Sequence, residues 1–430
     1  MNTFKILEEC KVCGSKELTE VIHLDPQHLS ATFVKDNETV DVAKIKVPLT
    51  LVLCDVSKNS SNCGLLQLKE EVDPDLLYRQ YFYRSAASDT MRNDLKNVIA
   101  DISSRLPLKK GDIVVDIGAN DCTTINFYAP DLTRVGIEPA KNINWSHVDP
   151  SITILNDYFS KDVFTKKFET QKAQAIGCNA MFYDVSNPNK FVQDVRDILD
   201  TDGLWCVQLS YLPLMFDNVN FYDICHEHLA YYSLKTLMTL MKRNGLEIVD
   251  ASTNQVNGGS IRIFVSHEGS KKHGTEAGRK NLESFLQIEK KMNLEGTQIY
   301  KDYGTTIQEL GDKVRNYVVA ELKKNNKVMG LGASTKGNVL LQFFGLTKAM
   351  MPYISERNPD KVGLRTLGTD FELISEEAAR KMNPSCMLVL PWYFKDEIVK
   401  REKKYIDDGG TLLIPMPYAH IVTKTGEQRL

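Results

Sequence analysis

From Asp112 onward, short apolar runs bounded by turn residues alternate with helix-like segments, and they do so twice. The first series comprises DIVVDIGAND, TRVGIEP, ITILND, AQAIGCNAM and GLWCVQLSYL, with the amphipathic FVQDVRDILD before the last run. Such strands bury both faces only in a mostly parallel sheet covered by helices, so the expected class is α/β, doubly wound. The alternation restarts at KVMGLGASTKGNVLLQFF and continues through MPYISERNP, CMLVLPWYF and TLLIPMP, which predicts a second, smaller Rossmann-like domain. Between the two series, Ile307, Leu310, Val314, Tyr317 and Val318 recur at helical spacing with charges on the other face. At 430 residues the chain exceeds what one core supports. The expected division is a β-rich module over 1–72, a first α/β domain over 73–268, a helical linker over 269–325 and a second Rossmann-like domain over 326–430.

Composition narrows the partners. Apolar content of 42%, with 25% charged residues and a net charge of −3, is a globular profile without a basic excess. The densest basic run, KREKK at Lys400–Lys404, contains an acid, so no nucleic-acid partner is expected. No apolar run reaches bilayer length, and MNTFKILEECKVCG lacks the apolar core of a signal peptide, so no membrane partner and a cytoplasmic location are expected. Nine cysteines, an odd number in a large chain, argue against a secreted disulfide framework.

Four cysteines lie in the first module. Cys10-Lys-Val-Cys13-Gly reads as a knuckle, two thiolates on one tight turn, and Cys54 with Cys63 is the matching pair. The eight residues DVSKNSSN between Cys54 and Cys63 exceed the usual ribbon spacing, so the insert must loop out for the thiolates to converge. The readings are structural zinc or four unligated thiols; four thiolates leave no open position for a catalytic metal.

Two glycine turns follow strands. In Val115-Asp116-Ile117-Gly118-Ala119-Asn120-Asp121 the glycine admits a ligand close to the backbone, and a helix N-terminus is expected beyond it. Glu138 ends the next strand, where such folds accept ribose hydroxyls. The turn lacks the G-x-G-x-x-G that cradles a pyrophosphate, which favours S-adenosylmethionine over NAD. Asp157 and Asn179 follow the next two strands and are read as adenine-side contacts or plain turn residues. The second turn, Gly330 to Asn338, is a partial fingerprint whose hydroxyls and Lys336 suit a phosphate, with Arg357 on a polar wall nearby.

The stretch Tyr222–Ser233, YDICHEHLAYYS, flanks a glutamate with two histidines and follows them back to a cysteine. If extended, His226 and His228 share a face. A metal clamp, an acid/base element and a structural polar patch are the open readings, with no further metal ligand evident nearby. The segment Asp73–Arg92, rich in tyrosine, reads as a surface connection or a substrate lid within 73–95.

In this order, CKVCG, YFYRSAASDTMR, VVDIGANDC, GIEPA, YDICHEHLAYYS, NGGSIR and GLGASTKGN resemble the nucleotide-sugar C-methyltransferase family over nearly the whole chain. The resemblance implies a zinc-binding N-terminal module, an S-adenosylmethionine-dependent class I methyltransferase domain and a Rossmann-like C-terminal domain. It implies a dTDP-linked 4-keto deoxysugar methylated at C3. It places the functional glutamate on Glu227, the catalytic histidine on His228 beside His226, and the active-site tyrosine on Tyr83, with Tyr81 as the near alternative. Two positions depart from the family pattern: Cys225 stands where a tyrosine is usual, and a further histidine is replaced near Tyr183. Carried over, the cofactor contacts are Asp116, Gly118, Asn120, Asp121, Glu138, Asp157 and Asn179. The substrate contacts are Tyr81, Ser85, Asn257, Lys336 and Arg357.

Carbon methylation needs a carbanion, reached at neutral pH beside a carbonyl, and His228 is the candidate base. The enolate oxygen needs a donor, for which Tyr83 is a candidate. The alternatives are methylation of an oxygen or nitrogen, which needs no carbon acid, and a non-catalytic zinc-containing binding protein.

Overall fold

The computed structural model describes residues 4–30, 32–35, 45–79 and 81–430. Lys44, at the start of the apolar run KIKVPLTLVLC, and Gln80, inside the 73–95 segment, lie outside the described residues.

A seven-stranded sheet occupies the middle of the chain. Its spatial order is Leu246–Asn254, Ser260–His267, Leu199–Ser210, Ala173–Asn179, Ile113–Ile117, Thr133–Ile137 and Thr153–Leu155. All neighbours are parallel except Ser260–His267, which runs antiparallel to both of its own. The strand IVVDI is buried at every position because helices cover both faces. From Ile113–Ile117 the chain first builds outward to Thr153–Leu155, then returns to add Ala173–Asn179 on the other side. The reversal makes a crevice beyond the carboxyl ends of these two central strands, where open α/β sheets bind ligands. Gly118 and Ala180 sit at its two rims.

One expectation fails here. No α-helix follows Gly118; only a one-turn 3-10 helix, Ile125–Phe127, stands before the next strand. The Asp121 carboxylate accepts from the backbone N–H and hydroxyl of Thr123 at 3.2 and 2.6 Å, and Pro130 follows closely, so the segment closes as turns.

The N-terminal sheet is antiparallel, in the order Leu18–Gln27, Val47–Cys54, Leu66–Leu68 and Ala230–Tyr231. Its fourth strand comes from the far side of the chain, directly after the histidine motif. The long insert after Cys54 does loop out: Asp55 accepts from the N–H and hydroxyl of Ser57, and Asn62 donates to the Asp55 carbonyl at 2.7 Å. The nine-stranded C-terminal sheet runs from Gly426–Arg429 at one edge to Phe33–Val34 at the other, the latter supplied by the N-terminal module.

Two helices, Glu276–Met292 and Gln298–Lys323, join the α/β units. The second buries Tyr300, Tyr303, Ile307, Leu310, Val314 and Val318 in the core that also holds the C-terminal strands and Phe221, Tyr222, Ile224, Cys225 and Leu229.

Candidate active site

A cavity of about 380 Å³ opens at the crevice. Gly118 forms part of its floor with φ +76°, and a Cβ there would lie 2.9 Å from Met181 Cγ, so both conformation and space require glycine. Glu138 also lines the cavity and accepts from the backbone N–H groups of Asn120 and Ala140, each at 2.8 Å. Asn179 lines it too, and its side-chain oxygen and nitrogen are both enclosed without a partner. An orphaned amide, a carboxylate and bare backbone around one crevice fit a cofactor carrying hydroxyls, a purine and an amino-acid tail, as S-adenosylmethionine does.

Asp116 lies beneath this turn rather than on the wall, buried, with no hydrogen-bond partner for either oxygen. Burial pushes its pKa up to about 7, with Glu138 and Asp121 adding to the effect. The folded, cofactor-free protein therefore holds a proton between pH 4 and 7 that the unfolded chain releases, so stability falls as pH rises through that window. Three pKa units correspond to about 4 kcal/mol. The variant Asp116→Asn should lack this slope: its urea-unfolding free energy relative to wild type rises from pH 4 to pH 7. Parallel wild-type and variant profiles would refute the assignment. Asp157 is exposed and does not line the cavity, and its side chain accepts from the next N–H, that of Tyr158, while Tyr158 and Phe159 form the wall.

The tyrosine-rich segment closes one side. Asn120 and Asp121 hold it there: Asn120 accepts from Ser85 N–H at 3.3 Å and donates to the Tyr83 carbonyl at 3.1 Å, and Asp121 accepts from Ala86 N–H at 2.9 Å. Their side chains are thus latches on the segment, and Asp121 does not line the cavity. Asn142 clamps the Tyr81 backbone from both sides, at 3.0 Å each. Tyr78, Tyr81, Tyr83, Ser85 and Asn257 all face the cavity. The C-terminal unit grips the same segment, Glu397 accepting from Ser88 and Thr90 hydroxyls at 3.2 and 3.0 Å.

Cys225–His228 is a turn, closed by His228 N–H donating to the Cys225 carbonyl at 3.1 Å, so the extended geometry that would align the two histidines is absent. His226 is fully buried with Nε2 3.1 Å from the Val47 carbonyl of the N-terminal sheet, which makes it a structural tie. His228 packs against Tyr183, ring centroids 4.0 Å apart and planes tilted by 40°, and burial holds its imidazole well below the usual pKa, with Lys336 adding to the effect. Glu227 accepts from the Ser30 hydroxyl at 2.7 Å and is pushed up by burial, while its other oxygen is enclosed and unpartnered. The backbone carbonyl of Glu227 accepts from Tyr78 OH at 2.9 Å. Cys225 is fully buried. None of these four side chains lines the cavity; Tyr78 and Asp184 stand between the motif's environment and the open space. Sequence reasoning passed over Asp184 and Tyr78, since neither lies in a glycine turn or the histidine motif.

Lys336 pairs with Asp223, two residues before Cys225, so its ammonium is engaged across units rather than free for a phosphate. Arg357 is exposed and lies off the cavity wall. The C-terminal crevice is filled by its own groups: Glu356 accepts from Ala333 and Asn358 N–H at 2.8 and 2.7 Å, Lys361 donates to the Ala333 carbonyl at 2.8 Å, and a Cβ on Gly332 would meet Pro391 at 2.8 Å.

The sulfurs of Cys10, Cys13, Cys54 and Cys63 all lie within 4.8 Å of one another, with Cys10–Cys63 at 3.4 Å and Cys13–Cys54 at 3.5 Å. Zinc–thiolate bonds of about 2.3 Å in a tetrahedron separate sulfurs by about 3.8 Å, so the four fit one structural zinc. The knuckle turn is closed by Gly14 N–H donating to the Cys10 carbonyl at 2.9 Å, with Gly14 at φ +77°.

Comparison with known proteins adds the following. Residues 10–78 match a family model described as a zinc binding domain, 91–251 one described as a methyltransferase domain, and 255–417 one described as a C-methyltransferase C-terminal domain. The chain is 26% identical over 420 residues to the C-methyltransferase NovU of Streptomyces niveus, covering 97% of each protein. Among solved structures it is similar to an S-adenosylmethionine-dependent methyltransferase from Clostridium acetobutylicum, at 13% identity and TM-score 0.32, covering 43% of this chain and 94% of that one. It is also similar to the magnesium protoporphyrin IX methyltransferase of Synechocystis with bound SAH, at 11% identity and TM-score 0.33, covering 41% and 83%.

Proposed function

We propose, for a chain that belongs to the S-adenosylmethionine-dependent C-methyltransferases, that the methyl acceptor is the carbon beside the ketone, C3, of a nucleotide-linked 4-keto sugar. The C-methyltransferase matches set aside the alternatives of oxygen or nitrogen methylation and of a non-catalytic binding protein.

The observation that carries the reading is a buried histidine, held in its neutral form, packed on Tyr183 next in sequence to the cavity-lining Asp184. Bound S-adenosylmethionine supplies an electrophilic methyl group. Gly118, Glu138 and Asn179 would hold it. On this reading His228 takes the C3 proton; its depressed pKa keeps it in the base form at neutral pH. The C–H electron pair becomes the enolate, whose carbon then takes the methyl group. On this reading Tyr83, which lines the cavity, donates to the enolate oxygen. His228 does not line the cavity in the cofactor-free structure, so on this reading the motif shifts toward the open space when substrate binds.

The test is hydrogen exchange at C3 of a nucleotide-linked 4-keto sugar in D₂O, followed by NMR. His228→Asn should slow exchange and methylation by about 10²- to 10⁴-fold while S-adenosylmethionine affinity holds. Exchange at the wild-type rate in that variant would remove His228 from the role.

A further inference from the structure

Asp184 closes the one-turn helix Phe182–Asp184, just beyond the central strand Ala173–Asn179. It lines the cofactor cavity together with Asn179 and Tyr83, and its Oδ1 is enclosed with no hydrogen-bond partner. The charged and titratable groups around it are Glu227, Asp223, Lys336, Tyr78, Tyr81, Tyr183, Cys178 and Cys225. The one cation among them, Lys336, is already paired with Asp223. Asp184 and Glu227 therefore share a low-dielectric pocket with no cation of their own, and two uncompensated anions there would be costly. Glu227 accepts from the Ser30 hydroxyl at 2.7 Å, which favours its charged form, whereas the Tyr78 hydroxyl beside Asp184 is committed to the Glu227 backbone carbonyl at 2.9 Å and pulls on Asp184 only weakly. The proton falls to Asp184, in agreement with burial, and after it Glu227, pushing the Asp184 carboxyl well above the carboxylate range.

The enolate oxygen of the proposed reaction needs donors fixed in place before charge develops. Cys225 stands where the family resemblance led us to expect a phenol; it is fully buried, does not line the cavity, and a thiol is a weak donor. We propose that Asp184, as a neutral carboxylic acid on the cavity wall, donates a hydrogen bond to the enolate oxygen and takes the place of the missing phenol. No proton is transferred in this contact. The C3 proton goes to His228, the electron pair to the enolate, and the Asp184 O–H stabilises the oxygen where the charge collects. A buried carboxylic acid kept neutral near pH 7 is a competent donor of this kind.

The inference rests on the carbon-acid reading above, and the experiment separates the two. Exchange at C3 of a nucleotide-linked 4-keto sugar in D₂O, with S-adenosylhomocysteine present, is compared for wild type, Asp184→Asn and Asp184→Ala. Circular dichroism and calorimetry with S-adenosylhomocysteine verify folding and cofactor-site integrity. Asp184→Ala removes the donor and should lose about 10²-fold or more in exchange rate. Asp184→Asn keeps an N–H donor of similar reach and should stay within about tenfold of wild type. An Asn variant as slow as the Ala variant, or an Ala variant at the wild-type rate, overturns the donor role. Absence of exchange in the wild-type protein overturns the carbon-acid reading, and this inference falls with it.

Discussion

Replacing Cys10 with serine will strip zinc from the N-terminal module and abolish activity, although Cys10 lies on a different unit from the cofactor cavity. A structural thiolate site contributes apparent binding energy of about 10–16 kcal/mol, comparable with the whole stability of a typical domain. The sheet it supports includes Ala230–Tyr231, and His226 is tied to Val47 of the same sheet. Loss of the metal therefore loosens both ends of the histidine motif, and Glu227 loses the fixed Ser30 hydroxyl that bonds it. Elemental analysis should find one zinc per wild-type chain and none in Cys10→Ser, with a thermal midpoint lower by about 10 °C or more. Wild-type melting and turnover in the variant would show that the cluster is dispensable.

The second large effect is expected at Lys336→Met. The side chains of Lys336 and Asp223 are 15% and 1% exposed, and the pair sits beside Glu227 and Asp184. Burial pulls the Lys336 pKa down, and Asp223 more than offsets it, so the ammonium is held above its usual range. Removing the lysine leaves Asp223 charged, buried and close to two other carboxyl groups, which costs about 3–5 kcal/mol. Urea unfolding should register that loss, and the double variant Lys336→Met with Asp223→Leu should recover most of it, because neither charge is then left alone. A single variant as stable as wild type would mean that water reaches Asp223.

These two cases mark where the sequence was informative. The CxxC knuckle and the glycine turn are local: Gly14 and Gly118 occupy left-handed backbone that short motifs specify, and both lie where the motifs imply. The strands around Gly118 were readable because a parallel sheet leaves long apolar runs, whereas their order was not. The pairing of Lys336 with Asp223 was not legible because Asp223 lies 113 residues earlier, and a lysine in a glycine turn looks the same whether it faces a phosphate or a carboxylate. Asn120 and Asp121 look like ligand contacts for the same reason; the fold shows that both hold the tyrosine-rich segment, Asn120 while also lining the cavity. Asp184 carries no signal at all in FYDVSN, since an aspartate before a turn is ordinary. Its meaning comes from the enclosed oxygen and the acidic neighbours that tertiary structure supplies.

The edge strand Phe33–Val34 pairs with Arg365–Thr366, and Gln342 holds the His28 backbone on both sides. A chain emerging from the ribosome presents its first module more than three hundred residues before the partner of that strand exists. The edge strand Phe33–Val34 stays without this partner until residues 365–366 have been made. Completion of the last sheet therefore closes the first module as well, and a nascent chain stopped short of residue 365 lacks the surface on which that module finishes folding.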